Sequence, residues 1–383
     1  TSTIFLYSYF VLFPLKVYDQ DLSLQENYKK GIKLSDIFNI LGSGVKTDRD
    51  KLFIDFDQGK LEERIKILLS QAYSPDFIET YNVKDSSSFP LTKRILNKTF
   101  KSENLFDYLY RPFDIRKIYY DVGLTSRPAY NVMRNLIYGE NICLILPRIC
   151  KEKNFNYGFV SNKLSDVALG GKNTGSETYV APLYIYPFFK TPREPNFNIE
   201  FQKIINLIYS TRPSPEKIFY YIYAILYIPS YRIKYNELLK IEYPRIPFVE
   251  NYNLFHKIAE YGEGLVDLHL LKSLELDPPI AKFQGDGNNI VEKVKYCEKE
   301  NRLYFNQNQY FEGIKKELWQ YQIGGYQVCD KWLKDRKNRT LSLEEIKHYC
   351  KIITALEKTI EFQKKIDKLY PEVEKGIIEF KSE

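Results

Sequence analysis

The chain has 383 residues, 44% of them hydrophobic, so it is long enough for two or three domains and apolar enough for packed cores. The net charge of +7 is mildly basic, which permits a nucleic-acid partner but does not require one. The apolar run at residues 1–14 is too short to span a bilayer and has no basic flank, so we expect neither a membrane anchor nor a signal peptide.

Residues 1–82 are predicted to contain strands followed by a helix. The run at 1–14 alternates β-branched and aromatic residues, which indicates a buried strand; because the sequence starts inside it and without methionine, we expect a piece of a longer protein. Further strands are predicted at 37–40 and 52–56, on either side of a glycine-containing loop at 42–44. Apolar residues three and four positions apart predict a helix over 61–82.

Short strands and turns are predicted again between residues 105 and 190. The predicted strands lie at 118–120, 142–146, 159–160 and 179–186, with a polar loop at 161–178 and a proline-containing linker at 187–200.

The rest of the chain shows helical periodicity. Helices are predicted from Ser214-Pro215 onward, over 231–240, over 254–271, and from a capping box at Ser342–Glu345 toward Tyr370, with a β-like insertion at 285–311. We therefore predict an α+β fold. It would comprise a β-rich domain at 1–190 and a mainly helical domain at 191–383.

Cysteine and histidine spacing argues against a metal site or a disulfide framework. The five cysteines lie at positions 143, 150, 297, 329 and 350, without Cys-x-x-Cys spacing, and the three histidines are far apart. Structural zinc sites need close pairs of such ligands, and disulfide frameworks need an even number of cysteines. We expect no metal or cofactor in this chain and a reducing, cytoplasmic location.

No catalytic motif is convincing. Asp277-Pro278-Pro279-Ile280 approaches the motif with which amino-methyltransferases hold a flipped base, but its fourth residue is aliphatic and has no stacking ring. A loop breaker is the better interpretation. Asp55 and Asp57 are close in sequence, but strand alternation would place both on a solvent face rather than around a metal. We expect no catalytic centre in this chain.

Binding residues are easier to find, because positive charge is concentrated in one stretch. Residues 108–174 hold ten lysines and arginines against five acids, which is +5 of the total of +7. Cations neutralise DNA phosphates, and arginine can also pair with guanine. The candidate DNA-binding residues in this stretch are Arg111, Arg116, Arg127, Tyr130, Arg134, Arg148, Lys163, Lys172 and Asn173. A separate segment, the tight turn that begins at Gly44, adds Lys46, Thr47 and Arg49.

The alternative for these cations is structural, because an arginine near Asp114 can simply form an ion pair, and strand alternation turns Tyr119 or Tyr120 to the core. In the helical half, Lys334 and Arg336 are candidate phosphate contacts, together with Lys331, Lys337 and Arg339. A solvated helix face explains that run equally well.

Several of these segments resemble the C-terminal specificity region of type ISP and related single-chain restriction-modification enzymes. The resemblance rests on residues 110–120, 127–134, 159–166, 184–187, 218–226, 244–247, 263–269, 321–326, 332–336 and 341–343. Gly44-Val-Lys46-Thr47 is similar to the family's Gly-x-x-Thr-Gly loop at the junction with the methyltransferase domain, with Asp48 in place of the second glycine.

The resemblance implies a module that recognises double-stranded DNA in sequence-specific fashion, without catalytic motifs of its own. It also implies an adenine-N6 methyltransferase domain upstream in the same polypeptide, which would bind S-adenosylmethionine. Two rival hypotheses remain. One is a protein-interaction module that couples enzyme domains and hardly contacts DNA; the other is a self-contained methyltransferase that uses Asp277.

Overall fold

The computed structural model describes residues 22–171, 174–189 and 192–378. Helices and sheets both contribute to it, so the predicted α+β fold is confirmed. The strand predicted at 1–14 lies outside the described residues. Within the described part of the chain, no helix is both long and apolar enough to cross a membrane.

The described chain up to residue 137 alternates short helices and short strands. Its elements are α1 (residues 22–29), β1 (Ile32–Lys33), α2 (Leu34–Ile37), β2 (Gly42–Ser43), α3 (Asp50–Phe53), β3 (Ile54–Asp55), α4 (Gln58–Ser70), α5 (Pro75–Tyr81), α6 (Leu91–Arg94), β4 (Leu105–Arg111), β5 (Asp114–Tyr119) and α7 (Tyr130–Ile137).

Strands dominate the next stretch and complete two four-stranded sheets. The strands are β6 (Cys143–Pro147), β7 (Phe159–Ser161), β8 (Leu164–Ser165), β9 (Thr178–Pro182), β10 (Tyr184–Ile185) and β11 (Glu194–Pro195). One sheet has the order β2-β9-β6-β7 and is antiparallel throughout. The other has the order β3-β5-β4-β8, and only its β4–β8 pair is parallel. β10 and β11 form a separate antiparallel pair.

Helices dominate from residue 199 onward. The elements are α8 (Ile199–Ile208), α9 (Pro215–Tyr227), α10 (Pro229–Lys234), α11 (Asn236–Leu239), β12 (Arg245–Ile246), α12 (Tyr252–His269), β13 (Lys282–Gln284), β14 (Lys295–Cys297), β15 (Arg302–Tyr304), β16 (Tyr310–Glu312), α13 (Lys316–Trp319), β17 (Gln322–Ile323), β18 (Tyr326–Gln327), α14 (Val328–Lys334), α15 (Leu343–Asp367) and α16 (Tyr370–Lys375). β13 to β16 form a third four-stranded sheet.

Three hydrophobic cores hold these elements together. The first surrounds α9 and α12 and draws residues from Tyr28 to Val373. The second joins both N-terminal sheets to α14 and α15, from Val45 to Leu356. A small third core packs α4 against the sheet through residues such as Leu61. Apolar packing therefore crosses the domain boundary predicted at residue 190, and that boundary stays a prediction.

The predictions for the first 82 residues are partly wrong. Ile37 ends α2 instead of starting a strand, and Phe38 forms only an isolated bridge with Phe197. The helix predicted over 61–82 is two helices, α4 and α5. The break occurs because Gln71 takes a left-handed conformation with φ 58° and Ser74 then caps a new helix.

Helix α7 was not predicted, and the reason is visible at its start. Its N-cap residue, Ala129, has a left-handed φ of 51° and makes no side-chain capping hydrogen bond, so the sequence carries no capping signal there. By contrast, the predicted capping box is confirmed: Ser342 accepts from the Glu345 amide, and Glu345 accepts from the Ser342 amide. The β-like insertion is also confirmed as the third sheet.

Candidate nucleic-acid interface

Two loops of the β-rich half enclose a cleft of about 430 Å³. We call it the loop cleft and define it by its lining residues, Lys46, Thr47, Asp48, Asp50, Asp166, Val167, Ala168, Gly171, Gly175, Ser176 and Glu177. Its walls are joined by backbone bonds. The Val45 amide donates to Ser165 O at 2.8 Å, and Lys46 and Arg127 exchange amide–carbonyl bonds of 3.0 and 2.9 Å.

The structure thus brings two neighbouring predicted residues, Lys46 and Thr47, close to a third, Arg127, that is distant in sequence. Lys46 and Thr47 line the cleft, and Arg127 lies beside it, where its guanidinium forms a 2.9 Å ion pair with Glu177. The side chains of Lys46 and Arg127 are 46% and 40% exposed, so both cations can meet a ligand from solvent. Lys172 and Asn173 fall between two cleft-lining stretches but lie outside the described residues.

The tight loop at 44–48 explains the glycine in its sequence. A Cβ on Gly44 would lie 2.8 Å from the Asp166 backbone, so the parallel bridge between Val45 and Asp166 leaves no room for a side chain. Asp48 has a left-handed φ of 56°, the conformation that a glycine adopts most easily. Asp48 therefore adopts the turn that a glycine would adopt at this position.

The side chain of Asp48 holds the turn in place through contacts with Ser126 and Lys46. It accepts a hydrogen bond from the Ser126 hydroxyl and pairs with Lys46 at 3.1 Å. Partial burial raises the pKa of Asp48, but the hydrogen bond from Ser126 and the charge of Lys46 outweigh it and hold this pKa below its ordinary value. The carboxylate is therefore ionised at neutral pH and offsets part of the positive charge at the rim.

The floor of the cleft consists of two carboxylates held by tyrosine hydroxyls. Tyr110 donates to Asp50 at 2.9 Å, and Tyr108 donates to Asp166 at 2.8 Å. Thr47 also donates to Asp50. Burial raises the pKa of Asp166, the Arg111 charge opposes this, and the nearby Asp50 charge adds to it. The sequence did not predict this floor, because the bonds from Tyr110 and Tyr108 join residues that are 60 and 58 positions apart.

Three predicted arginines are held inside the protein instead of facing a ligand. They stack with aromatic rings in what we call the Arg–aromatic ladder, in the order Arg111, Tyr110, Arg116, Phe56, Arg336 and Trp332. Successive guanidinium carbons and ring centres are 4.0, 3.9, 4.1, 4.8 and 3.4 Å apart. These are distances at which cation–π attraction is effective.

A buried aspartate fixes the middle of the ladder. Asp114 is 0% exposed and pairs with Arg116 and Arg336, each at 2.7 Å. Burial opposes ionisation, but the two arginine charges hold the pKa of Asp114 below its usual value. Arg336 is itself only 3% exposed and Arg111 4%. Arg111, Arg116 and Arg336 are thus placed as the structural alternative in the sequence analysis described, in ion pairs inside the protein.

The remaining candidates are scattered over the surface. Most are engaged with neighbouring groups: Arg49 donates to the carbonyls of Asn82 and Lys84, Tyr130 bonds Tyr138, Arg134 donates to the carbonyls of Tyr186 and Pro187, Lys163 pairs with Asp107 and Lys334 with Asp330. Arg148 is exposed at the end of β6. None of these lines the loop cleft.

The two acidic motifs considered in the sequence have structural partners. Asp55 pairs with Arg64 at 2.8 Å, and Asp57 caps α4. Asp277 pairs with Lys351 at 2.6 Å. Among the described residues, no group of three histidine, cysteine or acidic side chains is placed to hold a metal ion.

Comparison with known proteins identifies the family. The model of the Type ISP C-terminal specificity domain matches residues 36–365. The chain belongs to this family. Among curated proteins, none matches the specificity domain described here.

Solved structures show the same fold. They are an ATP-dependent Type ISP restriction-modification enzyme, LlaBIII, bound to DNA (TM-score 0.71, 20% identity), a nuclease-deletion mutant of the Type ISP enzyme LlaGI with a DNA substrate mimic (0.66, 18%), and a DrdV–DNA complex (0.71, 19%). The matches cover 89%, 88% and 89% of this chain, but only 24%, 29% and 38% of the chains of those enzymes.

Proposed function

We propose that this chain recognises a specific sequence in double-stranded DNA on behalf of a restriction-modification enzyme. The observation that carries the proposal is the loop cleft, where Lys46, Thr47 and Arg127 converge in a Type ISP specificity fold. The solved relatives of this fold are complexes with DNA or a DNA mimic, which supports the same partner here.

The chemistry of the cleft suits base reading better than phosphate binding alone. Arg127 offers paired donors that match the guanine edge, and Glu177 offers an acceptor for the amino group of cytosine. Lys46 and Arg127 also supply the positive charge that a duplex attracts. Outside the cleft, the exposed Lys334 and Arg148 would contact phosphates and add affinity without sequence preference.

We further propose that the catalytic step belongs to another part of the same polypeptide. An adenine-N6 methyltransferase domain that binds S-adenosylmethionine would lie upstream and act on the site that this chain selects. The resemblance to the specificity region of such enzymes supports this, as does the small share of the relatives' length that the chain covers. The five free thiols are consistent with a cytoplasmic protein.

The test is selection of duplexes from a randomised pool by this chain at two salt concentrations, followed by sequencing. We expect one short motif to be enriched and the affinity to fall as salt rises. If nothing is enriched, the selection is repeated with the full-length enzyme. Enrichment there alone would mean that the methyltransferase domain forms the other wall of the site. Failure in both would favour a module that couples enzyme domains.

A further inference from the structure

The recognition loop at residues 46–50 is positioned by side chains rather than by a strand. Backbone bonds fix its start at Val45 and Lys46, and α3 begins at Asp50. Between these anchors, Asp50 receives one hydrogen bond from Thr47 inside the loop and one from Tyr110 on β4. Tyr110 therefore links the loop to the sheet behind it.

Tyr110 is well suited to fix a position. Its ring lies between two guanidiniums, with Arg111 at 4.0 Å and Arg116 at 3.9 Å, so the ring has little freedom to turn. Burial raises the pKa of Tyr110; the Arg111 charge opposes this shift and the Asp50 charge adds to it. The hydroxyl therefore keeps its proton at neutral pH and remains a donor to Asp50.

The same ring is one step of the Arg–aromatic ladder, which continues into the helical half. Arg116 stacks on Phe56, and Phe56 in turn contacts Arg336 just after α14. Arg336 is held in place by Asp114, by Glu345 at 3.2 Å and by the Trp332 carbonyl at 3.1 Å. A continuous series of stacked groups thus connects α14 and α15 with the floor of the loop cleft.

We propose that Tyr110 and Arg116 are positioning residues that hold the recognition loop in its DNA-binding conformation, and that the ladder lets the helical half influence base preference without contacting the bases itself. For its effect on DNA the inference rests on the proposed function. Its effect on the loop does not, because the loop can be observed without DNA.

The first test compares Tyr110→Phe with the wild-type chain by hydrogen exchange. The variant loses only the hydroxyl that bonds Asp50, and loss of one such bond is expected to speed amide exchange in residues 46–51 about 5- to 10-fold. Tyr231→Phe is the matched control, because it removes a buried hydroxyl that bonds the Arg245 carbonyl at 2.6 Å in the helical half. The control should leave exchange at 46–51 unchanged.

The second test measures DNA preference with Tyr110→Phe and Arg116→Lys. Lysine keeps the charge beside Asp114 but cannot stack its flat face on two rings. For folded protein, we expect both variants to lower the ratio of selected-motif to random-duplex affinity about 5-fold, whereas the control keeps that ratio. A purely structural role would lower the melting temperature and the active fraction but not this ratio.

The outcomes separate the two proposals. Unchanged exchange at 46–51 in Tyr110→Phe would overturn the positioning role, whatever the DNA result. Faster exchange with an unchanged affinity ratio would overturn the influence on base preference. If the wild-type chain and the full-length enzyme select no motif, the proposed function fails, and the exchange comparison alone still decides whether Tyr110 positions the loop.

Discussion

At the scale of single residues, exposed cations at different places should contribute differently to binding. Arg127→Ala removes a side chain that pairs with the cleft-lining Glu177, so we expect the selected base preference to change. Lys334→Ala removes a cation that is 59% exposed on α14, so we expect weaker binding to every duplex and a salt dependence reduced by about one ion. Each variant is the control for the other, and competition assays on selected and random duplexes would measure both. Equal losses on both duplexes for both variants would contradict this division.

His269 makes stability depend on pH. Burial, together with the Arg232 charge, lowers the pKa of His269 from 6.5 to about 3, and its ring nitrogens contact Tyr223 at 2.6 Å and Thr359 at 2.9 Å. The unfolded chain binds a proton as pH falls below 6.5, whereas the folded chain does not until about pH 3. The stability associated with neutral His269 is therefore complete above pH 6.5 and is lost as pH falls toward 3.

The variant His269→Gln tests this, because glutamine can still bond both neighbours but has no proton to bind. Between pH 7.5 and pH 5.0, the wild-type chain should lose about 2 kcal/mol more unfolding free energy than the variant. Urea unfolding at the two pH values measures the difference. Burial also lowers the pKa of His348, which is present in both proteins and cancels in the comparison. If the wild-type chain and the variant lose the same unfolding free energy between the two pH values, His269 is protonated in the folded state.

The residue types in the sequence indicated the chemistry of the loop cleft, but they did not indicate all of the residues that line it. The sequence offers Lys46 and Thr47 because they follow a glycine turn, and Arg127 because it lies in a segment of mixed cations and aromatic residues; that they bind DNA stays a prediction. Asp166 and Glu177 could not be predicted, since they reach the cleft only through the parallel bridge at Val45 and the β9 strand. Local sequence does not encode which distant loops become neighbours.

At the scale of elements, the close contact of α9 and α12 depends on one glycine. A Cβ on Gly262 would lie 1.9 Å from the Tyr220 carbonyl oxygen, so any side chain must push the two helices apart. Gly262→Ala should lower the free energy of unfolding by about 3 kcal/mol. Gly59→Ala in α4 is the control, because its Cβ would meet only Asp57 Oδ1 at 3.3 Å, and it should change stability by no more than about 1 kcal/mol. Chemical denaturation measures both; equal effects would contradict the packing argument.

Elements with a capping signal or clear periodicity were predictable, and those fixed by tertiary contacts were not. α9 and α15 begin at Ser214 and Ser342, both of which cap through their side chains. α3, by contrast, begins at Asp50 without a side-chain cap and interrupts what reads as a strand at 52–56.

At the scale of the whole molecule, the buried Asp114 joins the two halves. Asp114→Asn would leave Arg116 and Arg336 without a full counter-charge, so we expect a loss of about 3 to 5 kcal/mol in unfolding free energy. Asp107→Asn is the control, because Asp107 pairs with Lys117 on the surface, where both side chains are 36% exposed, and its loss should cost under about 1 kcal/mol. Circular dichroism and tryptophan fluorescence should report one shared transition for Asp114→Asn. Two separate transitions would mean that the halves unfold independently.

The pairing of β1 with β12 has a consequence for how the chain is made. Ile32 pairs with Ile246, and Lys33 with Arg245, so this two-stranded sheet closes a very long loop. During synthesis from the N-terminus, residues 32 and 33 emerge long before their partners exist. Contacts so distant in sequence form slowly. The earliest described part of the chain therefore has to wait for the helical half to leave the ribosome, and a nascent chain halted before β12 would present this strand to other molecules.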